Sequence, residues 1–261
     1  MKYIGTPDYE HGTAERLGVL VANLGTPEAP QTRPVRRYLA QFLADPRIIE
    51  LPRWLWLILL HGVILRIRPS RSAKAYREVW SEETGSPLLS ISRDQAKAID
   101  AELTSRFGDS VRVALGMRYG NPSIDSALTE LAEHGVRRLV VLPMYPQYSG
   151  TTTASVFDAV TARLQGTRWI PELRFINQYC DDPAFIDASI PAARRPIGRK
   201  SLRGRRSRNR YHRIAAISSR PTSMRRISEV PAPISISLAS RKIRATGLSL
   251  RYPAPPIACT A

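Results

Sequence analysis

Arg118 and Tyr119 stand side by side, and the same stretch carries Tyr145, Tyr148, Ser149, Thr151, Thr152 and Thr153. These residue types suit a flat aromatic ligand that bears carboxylates. A guanidinium forks a carboxylate through parallel N–H donors, and tyrosine rings pack on an apolar face. The same residues also suit ordinary packing at strand ends, so residue type alone leaves both readings open.

The surrounding pattern says how such residues would be brought together. Residues 111–115 form a short, partly β-branched apolar run that ends at Gly116, which predicts a strand. Residues 117–122 read as a polar loop. Ser123 is a good N-cap, and Ile124, Ala127, Leu128, Leu131 and Ala132 recur at helical spacing up to Gly135, a natural residue just past a helix. Residues 139–142 are too apolar for a half-exposed strand. Strand, helix and strand make a βαβ unit with parallel strands. Ligands of open parallel sheets bind beyond the carboxyl ends of the strands, where both chemically interesting loops fall.

The rest of the chain fits an α/β reading. Residues 18–23 predict a buried parallel strand that turns at Leu24-Gly25-Thr26-Pro27. This turn matches neither the dinucleotide fingerprint nor a P-loop. Residues 32–43 predict a helix with Val35, Leu39 and Phe42 on one face, broken by Asp45-Pro46. Residues 54–67 are apolar nearly all round, which fits a buried helix or an apolar lip, and Arg66, Arg68 and Arg71 follow directly. A helix over 70–80 precedes the turn Gly85-Ser86-Pro87. A further helix over 90–107 is expected to turn Ile91, Ala98, Leu103 and Phe107 inward. A helix over 156–164, a strand over 169–175 and a helix opened by Asp182-Pro183 complete the pattern.

Charge is distributed unevenly. The net charge is +17, yet residues 191–261 hold 17 of the 39 Lys and Arg and a single acid, Glu229. Residues 1–190 are therefore nearly neutral, with 22 bases and 21 acids. The basic tail has no Trp or Phe and only Tyr211 and Tyr252 as aromatics, too little apolar bulk for a core. Such a tail can tether to nucleic acid or anionic membrane, although a nucleic-acid role is disfavoured. Cys180 and Cys259 are the only cysteines, which fits a reducing compartment and a cytoplasmic protein. Residues 1–15 lack the apolar core of a signal peptide, and residues 54–65 are too short to span a bilayer.

Four segments in order resemble the ferrochelatase family: VLVANLGTPEAP at 19–30, FLADPRIIELP at 42–52, YREVWSEETGSPLL at 76–89, and GMRYGNPSI with LPMYPQYSGTTTAS at 116–155. The resemblance spans residues 17–188. It implies insertion of ferrous iron into protoporphyrin IX, the last step of haem synthesis, with both as substrates and no firm cofactor. It implies the first half of a two-domain chelatase-like α/β fold, with a parallel sheet flanked by helices. Three parts are expected: a flexible N-terminus over 1–16, the α/β domain over 17–188, and a disordered basic tail over 189–261.

The resemblance also implies that Arg118, Tyr119, Tyr76, Ser86 and Tyr148 face the porphyrin. Arg118 and either Arg66 or Arg68 would take propionates, and Trp54 or Trp56 would pack the ring. The Gly25 loop would border the porphyrin cleft, and the lip at 54–65 would touch the membrane surface. The family's catalytic His motif and later Glu are unmatched: His11, His61, His134 and His212 stand in other contexts. No catalytic or metal residue is therefore assigned. The abrupt shift to an Arg/Ser/Pro/Ala mixture near residue 189 reads as a frameshift, which leaves this chain impaired or an inactive porphyrin-binding remnant.

Overall fold

The computed structural model describes residues 3–5, 12 and 14–187. The tail expected over 189–261 lies outside the described residues.

The chain begins with β1 (Arg16–Gly25), whose middle residues are buried without interruption. Next come α1 (Thr32–Leu43), α2 (Arg53–Leu59), a π-helical turn (Leu60–Ile64) and α3 (Leu65–Val79). Then follow α4 (Pro87–Phe107), β2 (Val111–Tyr119), α5 (Ile124–Glu133), β3 (Val136–Pro143), α6 (Thr153–Gln165) and β4 (Glu172–Phe175). The four strands form one parallel sheet in the order β2-β1-β3-β4. β2, α5 and β3 make the expected parallel unit, but β1 lies between its two strands.

The uninterrupted apolar runs are explained by cover on both faces. Alternate residues of β1 point to opposite sides. Leu17, Val19 and Val21 pack with Ile99 and Leu103 of α4. Leu20 and Ala22 pack with Leu128 and Leu131 of α5 and with Val156 and Val160 of α6. A third apolar cluster sits beyond the strands' carboxyl ends. There α1 and α3 close over Tyr119, with Val35, Tyr38, Leu39, Trp56, Leu60 and Ala73 buried together.

Local signals act as expected at α5. Ser123 Oγ accepts the Ser126 N–H at 3.0 Å, and Gly135 ends the helix with φ +71°. Asp182 likewise caps the turn over 183–187 by accepting the Ala184 N–H at 2.9 Å.

Three expectations change. First, Gly116 does not end its strand, and β2 continues through Met117, Arg118 and Tyr119. The glycine is there because α5 passes close: a Cβ would lie 3.0 Å from the Ile124 Cα. Second, α4 buries Ser92, Ala96, Ile99 and Leu103, while Ile91 and Ala98 are only half-buried. Ser92 is accommodated because it donates to the Leu88 carbonyl and accepts from Asn23 Nδ2. Third, residues 53–79 form one continuous helical run through the π turn, with Pro69 inside α3. Before β1, Ile4 is hydrogen-bonded to the chain that follows α6. The Ile4 N–H donates to the Gly166 carbonyl, and the Ile4 carbonyl accepts from the Arg168 N–H.

Candidate functional site

The carboxyl end of the sheet is built around a carboxylate. Asp45, just past the end of α1, is only 5 % exposed. Its Oδ2 accepts from Arg118 Nη2 at 2.6 Å, from the Tyr119 hydroxyl at 2.6 Å and from Ser155 Oγ at 2.5 Å. Its Oδ1 accepts the Arg47 N–H at 2.8 Å. Arg118 Nε also donates to Ser155, reaching its carbonyl at 2.8 Å and its Oγ at 2.7 Å. One acid therefore ties together the end of α1, the end of β2 and the first turn of α6. Outside this knot, Arg47 forms a two-point contact with Asp158 on α6.

The electrostatics follow from that geometry. Burial works against the ionised Asp45. Hydrogen bonds from Ser155, Tyr119 and the Arg47 N–H, together with the Arg118 charge, outweigh it and hold the carboxyl below its usual range. Tyr119 moves the opposite way: burial first, then the Asp45 hydrogen bond, raises its hydroxyl well above the ordinary phenol range. It therefore stays a donor. Burial, then Tyr76, does the same for Tyr38.

A testable acid response results. A carboxyl whose folded pKa is depressed adds stability above the unfolded value, about 4, and loses it as pH falls through the folded value. The wild-type chain is expected to lose more denaturation free energy between neutral pH and acid below about pH 4 than Asp45→Asn does. Equal losses in urea titrations would exclude this role for Asp45.

Aromatic rings back the knot. Phe42 meets Tyr119 edge-on at 5.3 Å, Tyr38 meets it edge-on at 6.4 Å, and Tyr38 also meets Tyr76 at 6.3 Å. The Arg118 guanidinium lies over the Tyr119 ring at 4.6 Å. Tyr145 hides its hydroxyl nearby with no hydrogen-bond partner among the described residues. On the outer side, Arg68 and Arg71 line an open groove with Val63, Ile64, Ile67, Ser72 and Ala75, about 630 Å³ in volume.

The expected site residues thus occupy different layers. Arg118 and Tyr119 are brought together, but Tyr119 is interior, with 2 % exposure. Tyr76 is half-buried against Tyr38 and Trp80. Ser86 is buried and N-caps α4 by position, with no cap bond from its side chain. Tyr148, Arg66 and Arg68 are exposed. Trp54 is exposed, whereas Trp56 is buried and donates to the Leu43 carbonyl. Asp45 and Ser155 are the residues that sequence reasoning missed. Asp45 looked like a helix stop before Pro46, and the only available hint was its place in a family-like segment.

The Gly25 loop is shaped by packing. Gly25 has φ +101°, and a Cβ there would lie 1.8 Å from the Tyr119 carbonyl oxygen. Among the described residues, no three His, Cys, Asp or Glu side chains come together to hold a metal ion. No helix among them is long and apolar enough to cross a membrane.

All four resembling segments meet at this edge, and comparison with known proteins agrees. The family model described as Ferrochelatase matches residues 16–226. The chain belongs to the ferrochelatase family. The match runs past residue 188, where the recognisable motifs stop. Curated ferrochelatases align over the front part. That of Idiomarina loihiensis is 53 % identical over 189 residues, 72 % of this chain and 52 % of the relative. That of Nitrosococcus oceani is 55 % identical over 195 residues, 75 % of this chain and 52 % of the relative. That of Marinobacter nauticus is 54 % identical over 188 residues, 72 % and 50 %. The chain spans about half the length of the curated ferrochelatases it matches.

Proposed function

We propose that this chain carries the porphyrin-side half of a ferrochelatase, the enzyme that inserts ferrous iron into protoporphyrin IX. One observation carries the reading: the four family segments converge on one sheet edge through Gly25, Asp45, Tyr76, Arg118, Tyr119 and Ser155. In this reading Arg118 and the α3 arginines, Arg66 and Arg68, receive the propionates. Tyr76, Tyr148 and Trp54 supply aromatic surface, and Ser86 lies on the porphyrin side at the start of α4. Tyr119 acts from behind, as a buried donor. Metallation itself needs a base for two pyrrole protons and ligands for a dehydrated ferrous ion. Residues after about 189 do not match the family's motifs for that task, so this chain is expected to bind porphyrin without turning it over.

The test is a Soret titration of the 261-residue chain with protoporphyrin IX, followed by ferrous or zinc ion without oxygen. A saturable shift with no metallation is expected. Turnover would overturn the impairment, and the absence of any shift would overturn the porphyrin reading.

A cytoplasmic chain that rests on the membrane surface is the second part of the proposal. Trp54, Ile58, Val63 and Ile67 are exposed large apolar side chains on one helical run, with exposed Arg53, Arg66 and Arg68 beside them. An apolar ridge flanked by cations suits an anionic bilayer. Changing Trp54 and Ile58 together to Glu is expected to weaken flotation with phosphatidylglycerol vesicles by about tenfold or more. Unchanged flotation would sink this part alone.

A further inference from the structure

Asp45 does more than fill a buried position. Arg118 commits Nε to Ser155 and Nη2 to Asp45, while its carbon rests over the Tyr119 ring. Nη1 makes no hydrogen bond among the described residues, and the side chain is still 21 % exposed. The guanidinium is thus pinned on two nitrogens, with its third left over. Its charge is also balanced by the partner that pins it.

We propose that Asp45 is a positioning residue: it holds Arg118 so that an arriving carboxylate meets one oriented N–H edge of an ion pair rather than a mobile cation. The inference rests on the porphyrin reading for the identity of that carboxylate, a tetrapyrrole propionate. It goes beyond that reading in assigning Asp45 a task and in dividing the work among the arginines. A carboxylate close to Arg118 is also close to Asp45, so long-range attraction there largely cancels. Attraction over distance then falls to Arg66, Arg68 and Arg71. These are exposed and make no ion pair among the described residues. Arg118 contributes direction, through a charge-assisted hydrogen bond whose geometry is set before the ligand comes.

This division makes a prediction opposite to a simple charge argument. Asp45→Asn removes one negative charge and so makes the site more positive by one unit. If Arg118 worked as a free counter-ion, the variant would bind a dicarboxylic porphyrin more tightly. If position matters, the variant lets the guanidinium wander and binds more weakly.

The experiment uses the full chain labelled with ¹⁵N. The Arg118 Nη2–H signal, from the nitrogen that Asp45 holds and identified by its loss in Arg118→Lys, is expected to be resolved and slow to exchange in wild type. In Asp45→Asn it is expected to merge with the bulk arginine signals. Protoporphyrin IX binding, read by fluorescence, is expected to weaken about tenfold or more in Asp45→Asn. In wild type, added salt should weaken binding through the α3 arginines. An Asp45→Asn chain that binds as tightly or more tightly, with its Arg118 signal unchanged, would overturn the proposal. Should Asp45→Asn fail to fold, Ser155→Ala decides: it removes the Oγ that Arg118 Nε reaches, leaves both charges, and is expected to shift the signal and weaken binding in the same direction. No binding by wild type would overturn the porphyrin reading and the ligand half of this one, whereas the Arg118 signal judges the hold of Asp45 by itself.

Discussion

Gly25→Ala is expected to destabilise the chain by about 3–5 kcal/mol. Two independent effects act together. The backbone at Gly25 has φ +101°, a region L side chains rarely enter. A Cβ built there would sit 1.8 Å from the Tyr119 carbonyl oxygen and 2.8 Å from its carbonyl carbon. Neither atom is a flexible side-chain tip. They belong to β2, which is paired with β1 at this very residue. Relief would have to separate two strand ends directly above the Asp45 knot. A domain with a total stability of about 5–15 kcal/mol has little room for that change. Gly62→Ala is the control: it lies in the π turn, with nothing within 4 Å of its Cβ position and an ordinary φ. Urea denaturation of the two variants checks the contrast. A Gly25→Ala midpoint close to that of Gly62→Ala would show that the strand ends are not held as described.

Trp56→Ala should be nearly as damaging, at about 3–5 kcal/mol. Trp56 is 7 % exposed and belongs to the cluster that joins α1, the π turn and α3. Its Nε1 donates to the Leu43 carbonyl at 2.7 Å, near the open end of α1. Truncation removes the ring, opens a cavity beside Leu60 and Leu65, and leaves a buried carbonyl without its donor. Trp54, two residues earlier, is 69 % exposed. Trp54→Ala is expected to change stability by no more than about 0.5 kcal/mol. The pair separates a structural tryptophan from a surface one in a segment where every residue looks equally apolar. Equal effects of the two substitutions would contradict the placement of this helical run.

That segment shows why the sequence was only partly legible. Apolar content at 54–67 was plain, but helical period alone cannot say which side is covered, since both sides carry Leu and Trp. The answer came from α1, whose Leu43 carbonyl and Tyr38 ring select Trp56 and Leu60. By contrast, α5 could be read almost residue by residue, because its cap, apolar stripe and terminal glycine are all local signals. The strand directions also followed from local pattern, whereas the insertion of β1 between β2 and β3 did not. No local signal distinguishes neighbouring from next-but-one strands. At the site, Arg118 and Tyr119 were visible by residue type. Asp45 was not, because a carboxylate before proline looks like a helix stop until the partners on β2 and α6 are known.

The π turn at Leu60–Ile64 has a consequence for how the chain can change length. Such a turn holds one residue more than the α-helix around it, and successive residues of an α-helix are set about 100° apart. The extra residue is taken up inside the turn, so losing one residue there would let an unbroken α-helix form with the downstream faces nearly unmoved. Losing one residue from α3 between Leu65 and Tyr76 would instead swing Tyr76 by about 100° relative to Trp56, away from Tyr38. A single-residue deletion should therefore be tolerated far better in the turn than in α3. The turn gives this half of the site room to shorten by one residue, which the straight helix after it lacks.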